Sequence, residues 1–301
     1  FFLSSKGRYL WSETPFCIRF QKGIISVQGE QVQLESGFQN LKGAYLAAQK
    51  VHFPFTGTMP NPVFFLKPQY NTWIPLNHNQ TQQGVLEYAS QIKRLGLMPG
   101  IFMIDSGWER YFGELDFDRS KFPEPKKMIQ ELHRQGFTVM LWISPCISPD
   151  SPTFRKLREG RGLLRNSDGE IAVRKWWDGY SAVLDLSDPV AVDWFSKKLD
   201  ALKKNYGVDG FKIDGGDFYF YREDDRSCGE PAPQMQSRAM SLFAERYDFH
   251  ELRVAWKCGG RPLVMRLCDK QHSWEGYGLN MVLPNTLVQG LLGYPYCCPD
   301  M

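Results

Sequence analysis

The chain has 301 residues, of which 43% are apolar and 14% aromatic, and its formal net charge is +3. This balance is that of an ordinary globular protein with one large core or two smaller ones. Without a basic run or a low-complexity tract, nucleic acid is excluded as an expected partner. Without a run of about 18 apolar residues, no membrane span is predicted.

The chain begins at Phe1 without Met and without a signal-like segment, as if it were cut from something longer. Its seven Cys are scattered and form no CxxC pair, so no zinc or other metal site is predicted. A single N-glycosylation sequon, Asn79-Gln80-Thr81, is compatible with the secretory pathway or the endoplasmic reticulum lumen.

Residues 1–62 are predicted to be the end of an N-terminal β domain. Alternating apolar residues over 24–28 and 31–34, on either side of a Gly29-Glu30 turn signal, are typical of β-strands. Several prolines between 54 and 68 indicate a domain boundary, and the second domain is assigned to 63–301.

From residue 63 onwards the pattern changes to alternating strands and helices. An apolar segment over 63–66 begins the series; strands follow over 100–104, 137–143, 208–213, 253–256, 264–267 and from 294, with helices over 83–95, 125–135, 189–205, 233–247 and 279–292. Repeated strand–helix units predict an α/β fold, here a (β/α)8 TIM barrel preceded by β-sandwich-like strands. The pattern supplies seven barrel strands, so the barrel is expected to be C-terminally incomplete, truncated before its last strand.

Carboxylates come at the ends of the predicted strands, where the chemistry of such a barrel lies. Asp214 ends the strand over 208–213, and the two glycines after it let a ligand approach the backbone. The other carboxylates of this kind are Asp105, Asp217 and Asp269. Asp214 is the first candidate for a catalytic residue, and the structural alternative is that each Asp caps a helix.

Tryptophans and cations are interspersed with these carboxylates along the chain. Aromatic rings stack on the apolar faces of sugars and carboxylates accept from hydroxyls, so the set favours a sugar site. The cations could keep the carboxylates ionised or bind hydroxyls. The candidates for substrate contact are Trp73, Asp105, Trp108, Trp142, Trp177, Lys212, Arg253, Arg266 and Trp274. The alternative is that each Trp belongs to the core.

The motif FKIDGGD around Asp214 resembles the nucleophile strand of glycoside hydrolase family 31, in which an Asp ends barrel strand 4. Asp269, with Trp274 five residues later, resembles the family's Trp-Ser-Gly-Asp segment and the Trp that follows it. Arg261 and the stretch over 292–300 agree with the same family, and the resemblance covers residues 60–301. The motifs ELRVAW, MRLCD, LLGYPYCCPDM and WWDG resemble α-galactosidase-like members. Cys268 departs from the usual Gly.

The resemblance implies a retaining α-glycoside hydrolase, most of all an α-galactosidase, with Asp214 as nucleophile and Asp269 as acid/base. Lys212 lies on the same side of the strand as Asp214 and could keep it ionised. The two carboxyl groups are expected about 5–5.5 Å apart. Neither a metal nor an organic cofactor is required. The expected partner is an α-linked galactoside or another glycan, and a homodimer is left open.

The sugar preference is assigned to one loop. Asp105 is predicted to accept from the 4- or 6-hydroxyl, with Trp108 or Trp177 near C6, unless Asp105 only caps its loop. Three other functions stay open. They are an α-glucosidase-type activity, a non-catalytic sugar-binding or regulatory protein on the same scaffold, and an aldolase-like Schiff base at Lys212.

Overall fold

The computed structural model describes residues 1–229 and 232–298. Short strands form a three-stranded antiparallel sheet, in the order β1-β2-β5, and a separate hairpin, β3–β4. The strands are β1 (Phe2–Ser4), β2 (Arg8–Trp11), β3 (Phe16–Gln21), β4 (Ile24–Gly29) and β5 (Gln33–Glu35). Consequently the two alternating segments on either side of Gly29 are strands, as predicted, but they do not pair with each other.

The first 62 residues are not β structure throughout, because a helix, α1 (Leu41–His52), lies among them. Asn40 begins this helix by accepting a hydrogen bond from the Gly43 amide at 3.0 Å. Ala44 and Ala48, one turn apart, are fully buried against Tyr9. The expectation of β structure here is therefore wrong at α1. Packing of small residues at helical spacing outweighs the flanking strand signals.

The apolar segment over 63–66 is also a helix. Helix α2 (Val63–Leu66) follows Asn61, whose side chain accepts from the Val63 amide, and the first barrel strand, β6 (Gln69–Asn71), comes three residues later. Phe64 of α2 is buried against Ile101 and Met103. Four apolar residues in a row suit a buried strand or one turn of helix equally well, which explains the difference.

Within the described residues, seven parallel strands form the main sheet, in the order β15-β14-β13-β12-β8-β7-β6. Its members after β6 are β7 (Ile101–Ile104), β8 (Thr138–Ile143), β12 (Gly210–Ile213), β13 (His250–Leu252), β14 (Met265–Arg266) and β15 (Cys297–Cys298). The sheet is that of an incomplete (β/α)8 barrel, which confirms the predicted fold class.

The longer helices lie between successive strands of this sheet along the chain. They are α4 (Gln82–Arg94), α5 (Pro125–Arg134), α7 (Pro189–Tyr206), α8 (Pro233–Ala244) and α9 (Val282–Leu291). Two shorter helices, α3 (Trp73–Leu76) and α6 (Pro152–Leu157), lie in the segments after β6 and after β8. The core lies between helices and strands, and includes Ile129, Phe195 and Phe211. Among the described residues, no helix combines the length and the apolar character needed to cross a lipid bilayer.

Two details of local structure place the candidate residues at strand ends. Gly207 ends α7 in the left-handed conformation, with φ +86°, and turns the chain into β12. At Gly210 a Cβ would lie 2.0 Å from the Phe249 carbonyl oxygen, so a glycine is required where β12 meets the segment before β13. The predicted strand over 253–256 is wrong by a few residues, since Phe211 pairs with His250 and Arg253 comes after the strand.

A small antiparallel sheet is inserted between β8 and α7, in the order β10-β11-β9. Its strands are β9 (Cys146–Ile147), β10 (Val173–Trp176) and β11 (Gly179–Val183). The turn of the β10–β11 hairpin carries Trp177 and Asp178.

Candidate active site

Asp214 is a buried carboxylate directly after β12 and receives hydrogen bonds from three directions. Trp142 Nε1 donates to its Oδ2 at 2.9 Å, while Arg266 Nη2 donates to Oδ1 at 2.9 Å. The Gly215 amide donates to the same Oδ1 at 2.8 Å, and Arg253 Nε lies 3.3 Å from it. The position of the carboxyl group is therefore fixed by strands β8 and β14 and by the segment after β13.

The charges around Asp214 keep it ionised. Burial by itself raises the pKa of Asp214, but Arg266, Arg253 and Lys212 together outweigh burial and lower it to about 2. A carboxylate in this state at neutral pH has the electron pair that a nucleophile needs.

Asp269 shares a guanidinium with Asp214. Arg266, at the end of β14, donates from Nη1 to Asp269 Oδ1 at 2.9 Å and from Nη2 to Asp214 Oδ1 at 2.9 Å. The two terminal nitrogens of one planar guanidinium are close together, so both carboxylates lie at one place at the carboxyl ends of the strands.

Asp269 differs from Asp214 in exposure, since 80% of its side chain is accessible to solvent. Partial desolvation of its surroundings raises the pKa of Asp269, but the ion pair with Arg266 prevails and holds the pKa below its ordinary value. Without a ligand, Asp269 is therefore ionised at neutral pH and not protonated as a general acid must be.

Asp105, directly after β7, belongs to a second ion pair in the same region. Its Oδ2 accepts from Lys212 Nζ at 2.9 Å and from Asn71 Nδ2 at 2.7 Å, and its Oδ1 accepts from the Ser106 amide at 2.8 Å. Burial lowers the pKa of Lys212, but Asp105 raises it above the ordinary value. A protonated lysine cannot attack a carbonyl, which disfavours the Schiff-base alternative.

Arg253 connects the segment after β12 to the inserted sheet. It donates from Nη2 to Asp217 Oδ2 at 2.6 Å, and its guanidinium carbon lies 4.7 Å from the centre of the Trp177 ring. Trp177 is 48% exposed, so one part of its ring is available to a ligand while another part packs on Arg253.

Two of the predicted sugar-contacting tryptophans belong to the core. Trp108 is fully buried, and its Nε1 donates to the Trp142 carbonyl oxygen at 2.7 Å. Trp108 therefore cannot pack near a bound sugar, and that prediction is wrong. Trp142 is 2% exposed and acts on Asp214 through its Nε1 rather than by stacking on a sugar.

The remaining tryptophans are more accessible. Trp73 begins α3, is half-buried and meets the His78 ring edge-on at 5.0 Å. Trp274 is 76% exposed in the segment after β14. Their contact with a substrate stays a prediction. Part of the family resemblance after Cys298 falls on residues outside those that the structure describes.

Sequence reasoning missed several side chains that belong to this region. Asn71 ends β6 and binds Asp105, and Glu251 lies buried in β13 beside Arg266. Asp178 faces the site from the β10–β11 turn; burial raises its pKa, as do Asp214 and Asp105. The sequence signal for Glu251 was a charged residue in an otherwise buried strand of a parallel sheet, His250-Glu251-Leu252.

The fold and this cluster define a TIM-barrel protein whose candidate site lies at the carboxyl ends of its strands. The model of the glycosyl hydrolases family 31 TIM-barrel domain matches residues 68–301. The chain therefore belongs to glycosyl hydrolase family 31, which confirms the resemblance seen in its motifs.

Among curated proteins, the chain is similar to the myogenesis-regulating glycosidase of Mus musculus. The two are 32% identical over 256 residues, which are 83% of this chain and 36% of the relative. The alpha-xylosidase XylQ of Lactiplantibacillus pentosus is 24% identical over 233 residues, or 72% of this chain and 29% of the relative. The chain thus spans about a third of the length of these relatives.

Solved structures agree on the fold. A family 31 alpha-xylosidase from a soil metagenome, complexed with xylose, has a TM-score of 0.68 at 22% identity, covering 81% of this chain and 38% of that one. The cycloalternan-degrading enzyme from Trueperella pyogenes has a TM-score of 0.71 at 17% identity, covering 99% of this chain and 49% of the other.

Proposed function

We propose that this chain carries the catalytic barrel of a retaining α-glycoside hydrolase. One observation supports this most: Arg266 binds Asp214 and Asp269 at the same time, at 2.9 Å each. Hydrolysis with retention needs two carboxyl groups beside one glycosidic bond, and such an arrangement makes that geometry available. The expected separation of about 5–5.5 Å between the carboxyl groups stays a prediction.

In the proposed reaction, an Asp214 oxygen attacks the anomeric carbon while the bond to the leaving oxygen breaks. Asp269 gives its proton to that oxygen. Asp269 then takes a proton from water, the water oxygen bonds to the anomeric carbon, and the ester to Asp214 breaks. The lowered pKa of Asp214 and the solvent access of Asp269 suit these two roles.

The ionised state of Asp269 needs a substrate to reverse it. A sugar over Asp269 would exclude water from the 80% of its side chain that is now exposed, and desolvation raises the pKa of a carboxyl group. The nearby negative charge of Asp214 acts in the same direction. Asp269 is therefore expected to become an acid in the complex and to return to a carboxylate when the site opens.

The finer proposal is an α-galactosidase. Asp105 already accepts three hydrogen bonds, and a carboxylate has about four acceptor sites, so one remains for a 4- or 6-hydroxyl. With Trp108 buried, Trp177 is the tryptophan of that hypothesis left to pack near C6. An α-glucosidase-type activity is the alternative, since the relatives also include an alpha-xylosidase and the lysosomal alpha-glucosidase of Bos taurus.

A non-catalytic sugar-binding or regulatory role is the second candidate. The SITS-binding protein of Tetronarce californica, 26% identical over 53% of this chain, is named for binding and not for hydrolysis. Turnover separates the two functions.

The test is a panel of aryl α-glycosides on the full-length protein, with α-galactoside, α-glucoside and α-xyloside compared. NMR of the first-formed sugar should show the α-anomer, and a 5-fluoro-α-glycosyl fluoride should leave its sugar esterified to the peptide that contains Asp214. Binding without turnover by a folded protein would favour the non-catalytic candidate, and a β-anomer would remove the retaining mechanism.

Localisation in the secretory pathway or the endoplasmic reticulum lumen is a separate proposal. Asn79 is exposed, while Gln80 is buried and holds the loop through its amide, which donates to the Asn77 carbonyl at 2.9 Å. Thr81 caps α4. If Asn79 is glycosylated, the wild-type protein should show a mass shift that a deglycosylating enzyme removes. The shift should be lost in Asn79→Gln and in Thr81→Asn, the second of which keeps a capping side chain.

The homodimer also stays a prediction, and light scattering of the full-length protein would check it.

A further inference from the structure

Glu251 is a buried charge for which the proposed reaction has no role yet. It is 3% exposed and lies in the middle of β13. Strands of a parallel sheet are covered on both faces and are usually apolar, and a fully buried glutamate is rare unless it is paired. A buried glutamate at this position is therefore expected to have a charged or polar partner.

Its partner is the guanidinium that both candidate catalytic carboxylates share. Glu251 Oε1 lies 3.7 Å from Arg266 Nε, and both side chains are 4% exposed. Because Nη1 and Nη2 of Arg266 bind Asp269 and Asp214, all three nitrogens of this one side chain face carboxylates. Arginine donates in a rigid planar fork, so a contact at Nε restricts where Nη1 and Nη2 can lie.

We propose that Glu251 is a positioning residue that holds Arg266 between Asp214 and Asp269. This inference rests on the proposed function for its meaning in catalysis. It adds a residue that touches no substrate and that sets, through Arg266, the place and the charge of both reacting carboxylates.

The sign of its electrostatic effect follows from the groups around it. Lys212 stands in register with Glu251 on the neighbouring strand, and the charge of Glu251 raises the pKa of Lys212 and of Cys297 on β15. Among the described residues, the titratable and charged groups that interact with Arg266 or Glu251 are Lys212, Asp214, Arg253, Cys268, Asp269 and Cys297. Asp105, Asp217 and Lys270 act in turn on members of this group. Removing the negative charge of Glu251 lets the cations act more strongly, which lowers the pKa of Asp269 further.

The test compares Glu251→Gln with Glu251→Asp and wild type in the full-length protein. For Glu251→Gln we expect the alkaline limb of the kcat/KM profile to move to lower pH by roughly half a unit. We also expect kcat to fall about tenfold to a hundredfold with little change in KM, because the carboxylates are less well placed. Glu251→Asp keeps the charge and should keep the pH limb of wild type.

A direct titration makes the result independent of turnover. The carboxyl ¹³C shift of Asp269, assigned by its loss in Asp269→Asn, should titrate at lower pH in Glu251→Gln than in wild type. A folded Glu251→Gln protein with the wild-type titration overturns the inference, even if the protein hydrolyses no glycoside. If both Glu251 variants lose activity equally and the alkaline limbs of their kcat/KM profiles stay where they are in wild type, Glu251 has a structural role and the inference is likewise overturned.

Glu251→Gln leaves Arg266 short of one buried partner, so a second variant is needed in case it does not fold. Glu251→Gln combined with Arg266→Gln removes both charges and avoids an unpaired buried ion. Here the titration of Asp269 should move to higher pH than in wild type, because its guanidinium partner is gone. A shift to lower pH, or no shift, would show that Arg266 does not govern Asp269.

Discussion

The segments that follow β12 and β14 each carry one carboxylate of the proposed catalytic pair, Asp214 and Asp269, and the two side chains have opposite surroundings. Asp214 is buried and receives donors from Trp142, Arg266 and the Gly215 amide. Asp269 has 80% of its side chain in solvent and is bound by Arg266. The difference suits a nucleophile that must be ionised in advance and an acid/base that a ligand has to complete.

The largest expected effect on catalysis is that of replacing the buried carboxylate, Asp214. Asp214→Ala should lower kcat by about 10⁴-fold or more, because it removes the carboxylate that forms the glycosyl ester in the proposed reaction. The measurement is turnover of an aryl α-glycoside, with thermal unfolding to confirm the fold. Asp214→Asn keeps the shape and is the matched control for unfolding. Near-normal turnover in a folded Asp214→Ala protein would end the nucleophile assignment.

Replacing the exposed carboxylate, Asp269, is expected to have a smaller effect on catalysis, and one that depends on the substrate. Asp269→Ala should lower kcat/KM by about 10²–10⁴-fold for an alkyl glycoside, whose leaving oxygen needs a proton. An aryl glycoside with an acidic phenol should lose much less, since its leaving group departs unprotonated. Equal losses for both substrates would contradict the acid role of Asp269.

Asp105→Asn tests the sugar preference. Replacing the charged acceptor of a sugar hydroxyl weakens its binding by about 1–3 kcal/mol. The kcat/KM ratio of α-galactoside to α-glucoside should therefore fall by the corresponding factor. Lys212 also loses its ion partner, but a loss of stability affects both substrates alike and leaves their ratio unchanged. Trp108→Phe is the control, because a fully buried ring should not move the ratio.

The smallest expected effect is a difference between the pH profiles of kcat/KM and kcat, and it tests the role of Asp269 in the unmutated protein. The pKa of Asp269 is lowered in the free protein, so the alkaline limb of kcat/KM, which reports the free protein, should lie at low pH. In the complex, desolvation raises the pKa of Asp269, and the limb of kcat should lie higher by about one unit. Coincident limbs would show that a bound sugar does not desolvate Asp269.

The barrel could be read from the sequence because its signals are local. The helices over 82–94, 125–134 and 189–206 lie within two residues of their predicted bounds, since proline or a capping residue starts them and apolar spacing continues them. Arg253 shows the limit, because whether it belongs to a strand depends on the register of His250 against Phe211. The helix at 63–66 shows the same limit for a short apolar run.

By itself, the sequence determined that strands and helices alternate and that Asp105 and Asp214 come directly after strands, because periodicity and turn residues act over a few neighbours. Tertiary structure alone decided that Trp108 is buried and donates to the Trp142 carbonyl oxygen, and that Arg266 contacts Asp214, Asp269 and Glu251. Those contacts join residues far apart in the chain, and their distances follow from the register and curvature of the whole sheet, which no single segment encodes.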